Sequence, residues 1–210
     1  MCPPTGMSSD LWRCLMRIGT RRSLKRGQLL YERGAPVLSA SLVLSGMLLI
    51  EAGQAAYDFV EAGQPVGAAL IVRDNQAATY PVSVMAIVAT EIFELPSVPL
   101  AKAISESLEL REYFQMQFTE RMRFIQSCRE IQCWTVPHRI AFILLKKPKA
   151  IASGYLTRKI IGQIAGASTE SVIRILSRWQ EEGLIRANER KIEILNNAGL
   201  EQICQVDSSV

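Results

Sequence analysis

Residues 156–185, LTRKIIGQIAGASTESVIRILSRWQEEGLI, leave few folds open, because they read as two short helices closed by a tight turn. Ile160, Ile161, Ile164 and Ala165 fall at helical spacing, and Gly166-Ala167 supplies a turn with little side-chain bulk. The first helix is therefore expected to stop near Ala165. Ser168 stands where an N-cap belongs, so a second helix is expected to start at Thr169. Val172, Ile175, Leu176 and Trp179 form its buried stripe, leaving Thr169, Glu170, Ile173, Arg174 and Ser177 or Arg178 facing outward.

That outward face carries the chemistry. Glu170 and Arg174 are four apart near the start of the helix, where a helix laid in a major groove meets base edges. A carboxylate accepts from cytosine N4, and a guanidinium grips guanine O6 and N7. The plainer alternative is a surface ion pair worth roughly 0.3 to 0.5 kcal/mol. The complete turn before the pair favours base reading.

The run TRKIIGQIAGASTESVIRIL resembles the signature of the Crp/Fnr transcription regulators, the family of the catabolite activator and the fumarate-nitrate regulator. By that resemblance Thr169, Glu170 and Arg174 take the base-contacting places, which implies a half-site with a TGA-like core. The residues expected at DNA are Thr157, Arg158, Ser168, Thr169, Glu170, Ser171, Arg174, Arg178 and Lys191. The partners implied are double-stranded DNA, a second copy of the chain and RNA polymerase.

The N-terminal half has another character. DLWRCLMRI, residues 10–18, reads as a short amphipathic helix. From residue 24 to 94, short alternating or β-branched runs are separated by Gly27, Gly34, Gly46, Gly53, Gly63 and Gly67, which suggests a barrel or jelly roll with glycines at its turns. LKRGQLLYERG, SLVLSGMLLI and VEAGQPVG also resemble the family's cyclic-nucleotide-binding β-roll.

Here the chain departs from its nucleotide-binding relatives. Their roll carries a Gly-Glu opening for the ribose and an Arg-Ser or Arg-Thr pair for the cyclic phosphate. In this sequence Gly67 is followed by Ala68 and Ala69, and ungapped counting puts Tyr80 and Pro81 where the phosphate pair belongs. A buried phosphate without its cation is costly, so cyclic AMP is not expected to bind. Arg73, in an RDNQ turn, is the substitute cation considered, though such an arginine is usually solvated.

Residues 108–134 lack Gly and Pro and carry Leu110, Phe114, Phe118, Met122, Ile125 and Ile131 along a broad face, so one helix of about seven turns is expected. The resemblance makes it the dimer-forming helix, setting two recognition helices about 34 Å apart. The family's adenine-holding Thr-Ser pair falls on Phe124 and Ile125. A retained pocket would involve Gly67, Ala68, Tyr80, Phe118, Met122, Phe124 and Ile125, and would suit an apolar or planar molecule such as haem. The equal alternative is that side chains fill the space and no effector binds.

Pro137 is expected to end the long helix, with residues 139–145 forming a further helix and KKPKAIASGY a basic loop. Gly183 should end the recognition helix, and LIRANERKIEIL reads as a two-stranded wing with Arg186, Arg190 and Lys191 available to the DNA backbone.

Composition excludes other classes. Of 210 residues, 49% are hydrophobic and 21% charged, which is ordinary globular material, and the net charge of +4 suits nucleic acid without arguing for it. Neither a membrane-length apolar run nor a secretory leader is read, so a cytoplasmic location is expected. Cys2, Cys14, Cys128, Cys133 and Cys204 form no CxxC pair, so no zinc site, disulfide framework or iron–sulfur cluster is expected. His138, the one histidine, sits beside Pro137 and suits a cap or surface role better than haem ligation.

Three parts are thus expected: a β-roll sensor domain over 1–107, a dimerisation helix over 108–136 and a winged helix-turn-helix domain over 137–210, in an α+β chain. No catalytic constellation can be assembled. The competing reading is an effector-binding or protein-interaction module whose helix-turn-helix is vestigial.

Overall fold

The computed structural model describes residues 7–53, 55–71, 78–188 and 191–205. Cys2, Arg73 and Arg190 lie outside them. The chain forms two compact units, residues 1–123 and 124–210, whose border falls inside the long helix.

In the first unit, α1 (Ser9–Met16) is capped by Ser8, whose side chain accepts from the Leu11 amide, and it buries Leu11, Trp12 and Leu15. Eight strands follow: β1 (Thr20–Leu24), β2 (Leu29–Tyr31), β3 (Ser39–Ser45), β4 (Met47–Ala52), β5 (Ala55–Glu61), β6 (Pro65–Val66), β7 (Ser83–Ala86) and β8 (Thr90–Pro96), with the one-turn α2 (Ala68–Ile71) between β6 and β7. They pair antiparallel as two four-stranded sheets, β1-β8-β3-β6 and β2-β7-β4-β5. All six glycines read as turns have positive φ.

Strand alternation sorts β3 between two cores. Val43 joins Leu48, Ile50, Val60, Val84 and Ile92 between the sheets. Ala40 and Leu42 point the other way, with Phe93 and Leu95, onto a layer made by α1, α3 (Ser97–Glu106) and the start of α4 (Leu108–Glu130). Trp12 meets Phe93 there at 5.1 Å between ring centroids.

The long helix is shorter than its apolar pattern suggests. α4 stops at Glu130, Ile131–Cys133 tighten into a 3-10 turn, and Trp134 is extended. Pro137 does not end that helix but lies in the first turn of α5 (Val136–Lys146). Proline is welcome there, since the N–H it lacks would have no intrahelical acceptor. The basic segment expected as a loop contains a short helix, α6 (Pro148–Ala152), again opening on proline.

The second unit continues with α7 (Arg158–Ala165), α8 (Thr169–Glu181), the β9 (Ile185–Ala187) and β10 (Ile192–Ile194) ribbon, and α9 (Asn197–Gln205). Its interior holds Ile140, Ile143 and Leu144 of α5, Ile161 of α7, Val172 and Trp179 of α8, and Leu200 of α9.

Candidate nucleic-acid interface

Two side-chain caps aim the helix-turn-helix. Thr157 accepts from the Ile160 amide at 3.3 Å and starts α7; Ser168 accepts from the Ser171 amide at 3.1 Å and starts α8. Between them Gly166 takes the left-handed conformation at φ +60°, closing α7. A Cβ on Gly162 would stand 2.7 Å from the Ala167 carbonyl oxygen, so the two helices meet at this spacing only because Gly162 has no side chain.

α8 buries Val172, Ile175, Leu176 and Trp179. Glu170, Ile173, Arg174, Ser177 and Arg178 are exposed, while Thr169 and Ser171 are half-buried. Among the described residues no ion pair joins Glu170 to Arg174, so both stay available to an outside partner, whereas Arg178 pairs with Glu182 at 3.4 Å. Hydrogen bonds from its own amide and from Ser168 hold the Glu170 carboxyl below the usual range, and it stays charged at neutral pH.

The ribbon is tied back to the motif. Arg158 donates to the Asn188 carbonyl at 2.7 Å, and Gln180 accepts from the Ala187 amide at 2.7 Å. Asn188 in turn accepts at its side chain from the Lys191 amide at 2.7 Å, shaping the tip and leaving the Lys191 side chain exposed. The ends of α7, α8 and the ribbon thus bring Thr157, Arg158, Ser168, Ser171, Arg178 and Lys191 into one unit with the outward face of α8.

Gln132 and Arg139 reach the same elbow and were not singled out in the sequence. Arg139 Nη1 donates to Gln132 Oε1 at 3.0 Å, and both atoms stand 3.1 Å from where a Gly166 Cβ would be. The only sequence signal was an arginine four residues after Thr135, on a helix that otherwise reads as apolar.

The residues weighed for an effector are differently placed. Tyr80 lies in the roll interior, stacked on Tyr31 at 4.2 Å with an interplanar angle of 11°. Its hydroxyl donates to the Ser39 carbonyl at 2.6 Å, and Tyr31 shares a hydrogen with Ser41 at 2.8 Å. Gly67, at φ +82°, packs so closely that a Cβ would meet the Tyr31 ring at 3.3 Å; Ala68 beside it is buried. Phe118 and Met122 are 46% and 38% exposed. Phe124 stacks on Phe142 at 6.4 Å with Lys147 Nζ 4.2 Å from its centroid, and Ile125 is half-buried. His138 Nδ1 is hydrogen-bonded to the Thr135 hydroxyl. No group of three or more metal-ligating side chains occurs among the described residues, and Cys14, Cys128, Cys133 and Cys204 are not joined in disulfides. Among these residues no helix is long and apolar enough to cross a membrane.

Residues 138–203 match the Crp-like helix-turn-helix domain. Over 216 residues, covering 95% of this chain and 87% of the relative, the sequence is 27% identical to the transcriptional activator protein anr of Pseudomonas aeruginosa. It is 24% identical to the transcriptional regulatory protein btr of Bordetella pertussis, covering 99% of this chain and 91% of that one. The fold is shared with FixK2 from Bradyrhizobium japonicum at a TM-score of 0.78 and 19% identity, over 89% of this chain and 97% of that one. It is shared also with a CooA mutant from Carboxydothermus hydrogenoformans at 0.73 and 14%, over 96% and 93%. A capped, outward-facing α8 lies within a matched Crp-like helix-turn-helix domain, and along nearly its whole length the chain is similar to regulators of transcription, in agreement with the Crp/Fnr resemblance of its sequence.

Proposed function

We propose that the chain binds, as a homodimer, two-fold DNA sites whose half-sites contain a TGA-like core, and that it does so without cyclic AMP. The observation that carries this reading is the outward face of α8, where Glu170 and Arg174 share one side of the helix without spending their charges on each other. A helix so presented matches carboxylate to cytosine and guanidinium to guanine. Lys191 and the cap hydroxyls supply backbone contacts, which fix register and make affinity depend on salt.

The loss of cyclic AMP rests on chemistry at one position. Where nucleotide-binding relatives place a phosphate-holding arginine, Tyr80 is committed to Tyr31 and to Ser39, and a phenol offers an anion no positive charge. A nucleotide would have to break the stack and then remain uncompensated.

Dimerisation is proposed through α4, where Phe118, Met122 and Ile125 recur at i, i+4 and i+7.

A selection from random duplexes at fixed salt, on protein purified without ligand, tests the whole reading when paired with an absorption spectrum. Enrichment of two-fold TGA-containing sites by colourless protein, undisturbed by added cyclic AMP, is the expected result. A Soret band would replace the effector-free reading with a haem-dependent one, and failure to enrich any sequence would favour the interaction-module alternative.

A further inference from the structure

Arg139 lies on α5, outside the helix-turn-helix, yet its guanidinium reaches the elbow between α7 and α8. Its orientation is fixed from behind. Nη1 donates to Gln132 Oε1 at 3.0 Å, and the Gln132 amide nitrogen donates to the Cys128 carbonyl at 3.0 Å, so the acceptor is anchored at its other end to the last turn of α4. The pair therefore presents the arginine without needing to be ordered when a partner arrives.

The guanidinium is also underused. It carries five N–H donors, one of which goes to Gln132. Nε is buried without a hydrogen-bond partner, and no carboxylate pairs with the group among the described residues. An oriented guanidinium with Nη donors to spare and no acid beside it is suited to an acceptor supplied from outside the chain. Its location selects the acceptor. Two residues beyond Gly166, Ser168 starts α8, so a duplex read by α8 runs a phosphate strand past this elbow.

We propose that Arg139 contacts a DNA phosphate flanking the groove read by α8, and that Gln132 is the positioning residue that presents it. The proposal rests on α8 being the reading helix. A purely structural role is separable from it: a cation beside the C-terminal carbonyls of α7 would stabilise the fold and leave the counterion balance of DNA binding untouched.

The test is equilibrium binding of the full chain to its selected duplex and to a scrambled duplex of equal length, between about 50 and 200 mM salt. R139Q should weaken both duplexes by the same factor, about 3- to 30-fold, and reduce the slope of log K against log salt by about 0.9. R139K should keep the slope, and Q132A should lose about two- to fivefold in affinity with the slope unchanged. An unchanged slope in R139Q, or a loss confined to the selected duplex, overturns the phosphate contact; wild-type affinity in Q132A overturns the positioning role. If thermal unfolding shows that R139Q does not fold, R139K decides, because losing the fork should still cost about two- to tenfold, and binding equal to wild type refutes the contact. Wild-type protein that binds no duplex at any salt removes the DNA reading itself, whereas wild-type binding with an indifferent R139Q removes this inference alone.

Discussion

Within the first unit, Arg121 of α4 places its Nε 3.4 Å from Asp58 Oδ2 on β5, an ion pair in which the acid is 1% exposed and the arginine 16%. Burial pulls the Arg121 pKa down from its ordinary value while the Asp58 charge pushes it back up, so the arginine's charge is supported by the acid. Removing Arg121 withdraws a cation from a carboxylate that is 1% exposed. R121M should cost about 3 to 5 kcal/mol, and the R121M/D58N pair clearly less than the sum of its single changes. Urea unfolding of the four proteins measures this, and an R121M protein within about 0.5 kcal/mol of wild type would refute it.

On α8, R174A should cost about 1 to 3 kcal/mol of DNA binding and relax preference at a single G·C pair. E170Q should loosen a different position. Binding to duplexes changed one base pair at a time reads both, and full discrimination retained by R174A would refute the proposed assignment.

The elbow sets the aim of that helix. G166A forces a side chain into φ +60° and toward Arg139 and Gln132, for an expected loss of about 1 to 2 kcal/mol. G162A overpacks against the Ala167 carbonyl and should cost about 1 to 3 kcal/mol. Thermal unfolding gives both values. G162A should also lose DNA affinity beyond what its remaining folded fraction explains.

Alkaline titration tests the tyrosines. Burial, moderated by the Ser41 hydrogen bond, raises the Tyr31 phenol well above its ordinary value, and burial pushes Tyr113 up to about 12. A raised phenol pKa favours the neutral form, so its stabilising contribution is complete below pH 10 and is lost as pH rises from there through the folded value. The phenolate absorbance lost on replacing Tyr31 or Tyr113 by Phe should be absorbance that develops well above pH 10, and their contribution to stability should fall only above about pH 10. Simple titration of both near pH 10 would contradict the burial.

For α4, the expected solution state is a dimer, and M122E or F118E should give a monomer by sedimentation. Each should lose roughly a hundredfold in affinity for a two-fold site, since the second half-site is then bound without linkage. A monomeric wild-type protein at micromolar concentration would end the dimer proposal.

The helix-turn-helix was legible almost residue by residue because its determinants are local. Ala165 as the last residue of α7, Ser168 as cap, Thr169 as start and the buried Val172, Ile175, Leu176 and Trp179 all follow from spacing and capping chemistry. The six glycine turns of the roll were equally local. α3 was missed because Pro96 and Pro99 made its first turn look like a breaker, and α9 because its sequence, NAGLEQICQ, opens with residues that also suit a loop. Pro137 misled in the same way: a proline ends a helix from within but opens one from its first turn. The Tyr31–Tyr80 stack, the Arg121–Asp58 pair and the Gln132–Arg139 contact join different elements, and no periodicity within one element encodes such pairs.

Gly162 separates two properties of this regulator that are usually changed together. In the proposed reading, base choice depends on exposed side chains of α8, so substitutions at Glu170 and Arg174 can be explored in small chemical steps with little burden on folding. The angle at which α8 is offered depends instead on an absence behind it, and the smallest available change there, one methyl group, already meets backbone at 2.7 Å. The vocabulary of such a protein can be rewritten gradually, while its posture admits no intermediate.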